Sequence, residues 1–444
     1  MEDGGAKAGG EAVKAKARVF GWLIVLSWFG SGQAAPAEIN IKSSHSRTVV
    51  TSQVYLFESV PVETQIGNSK IGSAAVVWPA LIQHAEHSLC LEEFYFSHMP
   101  GEALQPVVDE IGRAAARGVH VRLIIDHSFH ATYPQPADSL AKLPNIEIRY
   151  LDFKRVGGGV QHSKYFTVDG KSVYLGSQNL DWRSLSQIHE LGVWIADSAA
   201  TQFYQDLFEL DWRLAGGADV ASTVIESRRS YPARYELPCG FNGGYDTVQV
   251  EPSYSPKAFV PDSTHWDGDA VIRALDAAQH EVVIQTLTYS PKSYTEFNDF
   301  LDRALRRAAA RGVRVKLLVS DWNLGQPGIG YLKDLSKVPG IEIRISEVPY
   351  FSGGYISYAR VEHCKYFVAD SMITWIGTSN WEPDYFFHTR NVGVTLTSRR
   401  IALEARKSFE SSWTQIAKRV DVTKEYPKRP HGETPPPGMK KYGG

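Results

Sequence analysis

Two stretches decide the fold: VQHSKYFTVDGKSVYLGSQN, Val160–Asn179, and VEHCKYFVADSMITWIGTSN, Val361–Asn380. They align without a gap at an offset of 201 residues. Each holds His-x-Lys-x-x-x-x-Asp, then six residues, then Gly-Ser-Gln-Asn or Gly-Thr-Ser-Asn. HxKYF is a strand pattern, and residues i and i+2 share one face of a strand. His162 and Lys164 therefore point together, as do His363 and Lys365. Cys364 points the other way and reads as a small buried side chain.

The repeat extends outward from these stretches. VVDEIGRAAARGVHVRLIID and LDRALRRAAARGVRVKLLVS share Ala-Ala-Ala-Arg-Gly-Val at Ala114–Val119 and Ala308–Val313, an offset of 194. Each reads as an amphipathic helix, a glycine stop and a buried strand. LPNIEIRYL pairs with VPGIEIRIS, and the helix–strand segments beginning at Ala75 and Ala270 pair as well. Four matches in the same order predict two homologous α/β/α halves, residues 48–220 and 250–422. Each is a mixed, largely parallel sheet flanked by helices, and the pseudo-twofold places one active site between them. The Gly-, Pro- and Tyr-rich segment 221–249 reads as a linker, and the Pro- and Lys-rich tail 423–444 as disordered.

The 444 residues suit such a duplication. A net charge of -2 and 43 % hydrophobic content exclude a uniformly basic or chiefly disordered chain. Three cysteines, Cys90, Cys239 and Cys364, form neither a disulfide framework nor a zinc-ligand spacing. Lys14, Lys16 and Arg18 precede the apolar run Val19–Gly30, and Ala35-Pro36-Ala37 follows. That order reads as a signal peptide over residues 1–37, hence a secreted or periplasmic protein. The run is short against the about 20 residues of a membrane-spanning helix, and an N-terminal anchor is the alternative.

The chemistry of the paired motifs suits phosphoryl transfer without a metal or cofactor. Lys164, Lys365, Asn179 and Asn380 supply charge and donors for phosphate oxygens. His162 and His363 supply a nucleophile and a proton donor near neutral pH. Asp169 and Asp370 end their strands and read as caps of the turns that carry Gly-Ser-x-Asn. Ser177 and Ser379 read as supporting donors, and no residue set has metal-ligand spacing.

Paired motifs of this form resemble those of the phospholipase D superfamily. Asn179-Leu180-Asp181-Trp182-Arg183-Ser184-Leu185 and Glu190-Leu191-Gly192-Val193 are similar to its endolysosomal branch, as are Glu58-Ser59-Val60-Pro61 and Asp384-Tyr385-Phe386. The resemblance implies a metal-independent phosphodiesterase with a phosphohistidine intermediate on His162, and His363 as general acid. It implies a phosphodiester substrate: single-stranded nucleic acid cut from its end or, alternatively, a phospholipid headgroup hydrolysed or transferred. It also implies that Glu190 partners the histidine of its own motif, His162, with Asn391 as its counterpart in the second half. A lipid-surface protein that kept only the fold is the rival of another class, and two intact motifs count against it.

Overall fold

The computed structural model describes residues 52–241, 244–292 and 297–443. The expected duplication is present as two sheets with matching strand order. The first sheet runs Gly72–Ser73, Gln53–Ser59, Glu190–Ala196, Ser172–Gly176, Lys164–Val168, Ser88–Glu93, His120–Asp126, Ile146–Leu151. The second runs Tyr235–Phe241, Gly244–Ser255, Asn391–Thr397, Ile373–Gly377, Lys365–Ala369, Glu281–Thr286, Arg314–Ser320, Ile341–Ser346, Ala417–Arg419. Both are mixed. Ser88–Glu93, His120–Asp126 and Ile146–Leu151 are parallel, joined through helices such as Gln105–Ala116. The motif strands and their outer neighbours pair antiparallel.

The strands are apolar along most of their length because both faces are covered. Lys164–Val168, Ser172–Gly176 and Lys365–Ala369 are buried at every position. Close approach of the antiparallel strands needs glycine at one register. A Cβ on Gly176 would lie 2.5 Å from Cα of Gly192, its cross-strand partner.

The two halves share one apolar core. It includes the long helices Ser198–Ala215 and Arg399–Gln415, each capped at its N-terminus by a side chain, Asp197 and Ser398. Each helix also touches the other half. The Tyr204 hydroxyl donates to the Gly393 carbonyl (2.9 Å), and the Arg400 guanidinium donates to the Val54 carbonyl (3.0 Å).

Two expectations are corrected. The segment 221–249 is not a linker: it begins within the helix Val220–Glu226 and continues as Tyr235–Phe241 and the start of Gly244–Ser255. The latter pairs with Asn391–Thr397 as Gln53–Ser59 pairs with Glu190–Ala196. Its Val248 and Val250 are fully buried, an alternation that the surrounding Gly, Pro and Tyr conceal in composition. Nor does the tail from residue 423 to 443 lie free. Tyr355 and residues 440–442 exchange backbone hydrogen bonds (2.8 Å each), Arg429 pairs with Asp321 (2.5 Å), and the Tyr442 ring packs on Trp182. Aromatic and ionic anchors offset the ordering entropy that composition alone leaves unopposed. The expected signal peptide lies outside the described residues. Among the described residues no helix is long and apolar enough to cross a membrane.

Candidate active site

The motif segments enter their strands from the boundary between the halves. Gln161 forms a parallel bridge to Arg390, and Glu362 forms one to His189. The His162 amide donates to the Arg390 carbonyl and the His363 amide to the His189 carbonyl, both 2.9 Å. Each histidine is thus held beside the other half's strand start, and this crossing sets the site's chemistry.

Glu190 does not hold His162, as expected from its motif; it holds His363. Nδ1 of His363 lies 2.8 and 2.9 Å from the two Glu190 oxygens. Nδ1 of His162 lies 3.0 Å from Oδ1 of Asn391. The cause is topological: Glu190 and Asn391 begin the strands after the motif hairpins, and those starts abut the opposite half. The Asn391 amide nitrogen donates to the Tyr385 and Thr389 carbonyls, which turns its oxygen toward the ring. His162 must then carry its proton on Nδ1 and keep a lone pair on Nε2.

The lysines fold back along their own strands. Lys164 Nζ donates to the His162 carbonyl and Lys365 Nζ to the His363 carbonyl, both 2.7 Å. All four side chains are almost closed off from solvent, with His363 the most exposed at 9 %. Burial, then the charges of Lys164 and Lys365, push His162 well below the usual imidazole range. Burial and the same lysines do so for His363. Lys164 is lowered well below the usual ammonium range by burial and by Lys365. Burial brings Lys365 down to about 8, opposed by Glu190, and pushes Glu190 up to about 8, opposed by Lys365. An anionic phosphodiester between the lysines would reverse the field on both imidazoles and favour protonation of the one beside Glu190.

Asn179 and Asn380 occupy matching buried places, and the side-chain oxygen of each has no hydrogen-bond partner among the described residues. Ser177 accepts from the Leu191 amide (3.1 Å) and donates to the Leu191 carbonyl (3.3 Å), beside the Glu190 carboxyl, whose rise it opposes. The corresponding place in the second half belongs to Thr378, whose hydroxyl donates to Asn391 Oδ1 (2.8 Å). Ser379, expected in that role, turns away to Asp267 (3.2 Å) because it aligns with Gln178 instead.

Asp169 and Asp370 are structural, but the loop they cap differs from the one expected. Asp169 accepts from the amides of Glu86, His87 and Ser88, and Asp370 from those of Gln279, His280 and Glu281. Both tie down the loop entering the central parallel strand, at the strand end remote from the histidines. Each sits at positive φ, 53° and 52°, which aspartate tolerates. These backbone bonds help hold the Asp370 carboxyl below the usual carboxylate range, so its contribution is present at neutral pH and lost as pH falls through the lowered value. Asp370→Ala is expected to lower stability by roughly 2 kcal/mol, the scale of hydrogen bonds to a charged acceptor. Activity per folded molecule should stay near wild type. Thermal denaturation at pH 7 checks the first part, and a dead but stable protein would contradict the second.

Sequence reading missed three neighbours of the site. Glu93 lies opposite Lys164 in the strand register, its carboxyl raised by burial against the pull of Lys164, with one oxygen that has no hydrogen-bond partner among the described residues. Phe94 and Tyr385 stand edge-on to the His162 ring, with centroids 4.7 and 4.9 Å away. The detectable signal for Glu93 is Glu92-Glu93 at the end of an otherwise apolar strand, SLCLEE. Nothing local marks Phe94, and Tyr385 stood out only within the Asp384-Tyr385-Phe386 resemblance, because the relation of both rings to His162 is tertiary.

The comparisons with known proteins agree with this geometry. A family profile described as cardiolipin synthase, PLD-like domain, matches residues 79–212 and 271–413, one match per half. The chain belongs to the phospholipase D superfamily. It is 30 % identical over 379 residues to phospholipase D Z of Dictyostelium discoideum, covering 81 % of this chain and 89 % of that one. It is 28 % identical over 443 residues to the 5'-3' exonuclease PLD4 of Mus musculus, covering 88 % and 86 %. The phosphatidylserine synthase of Haemophilus influenzae shares the fold, with a TM-score of 0.56 at 15 % identity over 78 % of this chain and 85 % of that one. The protein is accordingly a phospholipase-D-type phosphodiesterase.

Proposed function

We propose that this phosphodiesterase cleaves single-stranded nucleic acid from its end, with His162 as nucleophile and His363 as general acid. The observation that carries the roles is the unequal pairing of the two imidazoles. His162 faces a neutral amide, and His363 a carboxylate. A neutral partner fixes the tautomer without raising basicity, which suits a ring that must attack through Nε2. A carboxylate favours the imidazolium, which suits a proton donor.

In the first step Nε2 of His162 bonds to phosphorus. The bond to the leaving oxygen breaks, and that oxygen takes the proton from Nε2 of His363. In the second step neutral His363 removes a proton from water, the water oxygen bonds to phosphorus, and His162 leaves. Lys164, Lys365, Asn179 and Asn380 neutralise and cradle the non-bridging oxygens in both steps. The mouse relative named as a 5'-3' exonuclease supports the nucleic-acid substrate, as does the Asp181-Trp182-Arg183-Ser184-Leu185 stretch. The relative named phospholipase D Z makes phospholipid the competing substrate. The basic-then-apolar N-terminus ending in Ala35-Pro36-Ala37 supports a secreted protein.

A paired assay tests the substrate: purified protein on single-stranded oligonucleotides and on phosphatidylcholine vesicles. Oligonucleotide shortening without headgroup release is expected, and the reverse result would overturn the nucleic-acid reading. Turnover should survive EDTA, because two lysines stand where a metalloenzyme would place a cation. Loss in EDTA with recovery on adding a divalent ion would sink that expectation.

The pH profile follows from the dyad. Below about pH 8 the Glu190 carboxyl keeps its proton, facing Nδ1 of His363, and Lys365 keeps its own. Above it both are lost, so kcat/KM should fall as pH rises through about 8. A profile flat to pH 10 would contradict the assignment.

A further inference from the structure

Directly beneath the acid pair lies a second imidazole. His189 is fully buried, with Nδ1 2.7 Å from Glu362 and Nε2 2.7 Å from Glu58. Glu58 also receives the Ser408 hydroxyl, and Glu362 receives the Ser412 hydroxyl (2.8 Å) and the Gln285 amide. The Cys364 thiol donates to the His189 carbonyl (3.5 Å). These groups come from five segments of both halves, and both ring nitrogens are engaged. Although His189, Glu362 and Cys364 lie close enough together to suggest a metal site, the two carboxylates already occupy the ring.

The clamp's position in the chain gives it a role. His189 precedes Glu190, and Glu362 precedes His363. The clamp therefore ties together the backbone just behind both members of the acid dyad, where the His363 amide donates to the His189 carbonyl. His162 rests on no such imidazole among the described residues. The corresponding place holds Arg390, ion-paired to Asp211 at 2.7 Å and bridged to Gln161. Glu92 takes the place of Gln285, and Gln161 that of Glu362. The two arms thus rest on different buried groups, one guanidinium and one imidazole that two carboxylates, against the effect of burial, push up to about 10.

We propose that His189 is the positioning residue of the general acid: clamped between Glu58 and Glu362, it aims the Glu190–His363 pair at the leaving oxygen. The proposal rests on His363 being the acid. Without the clamp the strand start carrying Glu190 loses its fixed distance from His363, and proton donation fails while nucleophilic attack by His162 persists. Groups that orient a catalytic side chain from behind typically matter by roughly ten- to hundredfold.

The test separates proton donation from attack. First-turnover rates are measured for the full chain and for His189→Gln on two esters of one nucleotide. In one the leaving group is a natural nucleoside, which needs the proton; in the other it is p-nitrophenolate, which does not. The His189→Gln protein should lose about tenfold or more on the nucleoside ester and little on the p-nitrophenyl ester. His189→Arg, which restores a buried cation like Arg390, should recover part of the loss. His363→Asn should show the same selectivity more strongly. If His363→Asn slows both esters equally, the acid assignment itself fails. If His363→Asn is selective and a folded His189→Gln is not, the positioning role is overturned. Should His189→Gln not fold, Glu58→Gln removes charge from one side of the ring only and takes its place under the same criteria.

Discussion

His363→Asn incubated with a phosphodiester bearing a good leaving group is expected to trap a phosphoryl adduct on His162, while turnover falls by about a thousandfold or more. Both effects follow from the crossed pairing. Removing His363 takes away the proton donor and then the base that activates water, each worth roughly 100- to 10,000-fold. An activated leaving group needs no proton, so the first step still runs and the second stalls. Adduct position, mapped by mass spectrometry after an acid-free quench, reads the nucleophile directly. His162→Asn should be equally dead and carry no adduct. An adduct on His363 in that variant would reverse the two roles, and adduct-free protein in every case would replace covalent catalysis by direct attack of water. Activity alone cannot distinguish these outcomes, since each histidine serves both steps.

The second large effect concerns the lysines. Lys164→Met and Lys365→Met should each lower turnover by about 100-fold or more, the scale of losing one preorganised oxyanion donor. Their stability should hold or rise. Each ammonium is buried, is lowered by burial, and lies near the other lysine, so the two like charges carry electrostatic strain that methionine removes. Phosphodiester binding relieves that strain, and the loss is therefore expected in both affinity and rate. Circular dichroism and thermal melting accompany the kinetics. A variant that unfolds would mean that its lysine serves the fold through Glu93 or Glu190 rather than the phosphate.

Much of this was legible in the chain. Two gapless copies of a twenty-residue stretch, with helices repeated in order around them, are enough to infer a duplicated α/β fold. Strand alternation is enough to put His162 with Lys164 and His363 with Lys365, because the period of two is a local property of extended backbone. The structural character of Asp169 and Asp370 was local too, since an aspartate at a strand's end naturally serves backbone amides. Composition failed where local signals mislead. Gly, Pro and Tyr hid the buried strand Gly244–Ser255, and a Pro- and Lys-rich tail gave no sign of the surface on which it docks.

The partner of each histidine was decided by tertiary structure alone. Glu190 is 28 residues from His162 and 173 from His363, yet it serves the distant one. Distance along the chain favours the nearer histidine only if a half closes on itself. Here the strand starts at Glu190 and Asn391 lie at the boundary between halves, and backbone bridges Gln161–Arg390 and His189–Glu362 register each against the opposite motif. The residue types needed for phosphoryl transfer are therefore written in the sequence. Which imidazole faces a charge and which a neutral amide comes from how two sheets meet, because hydrogen bonds act over about 3 Å of space whatever the separation in sequence.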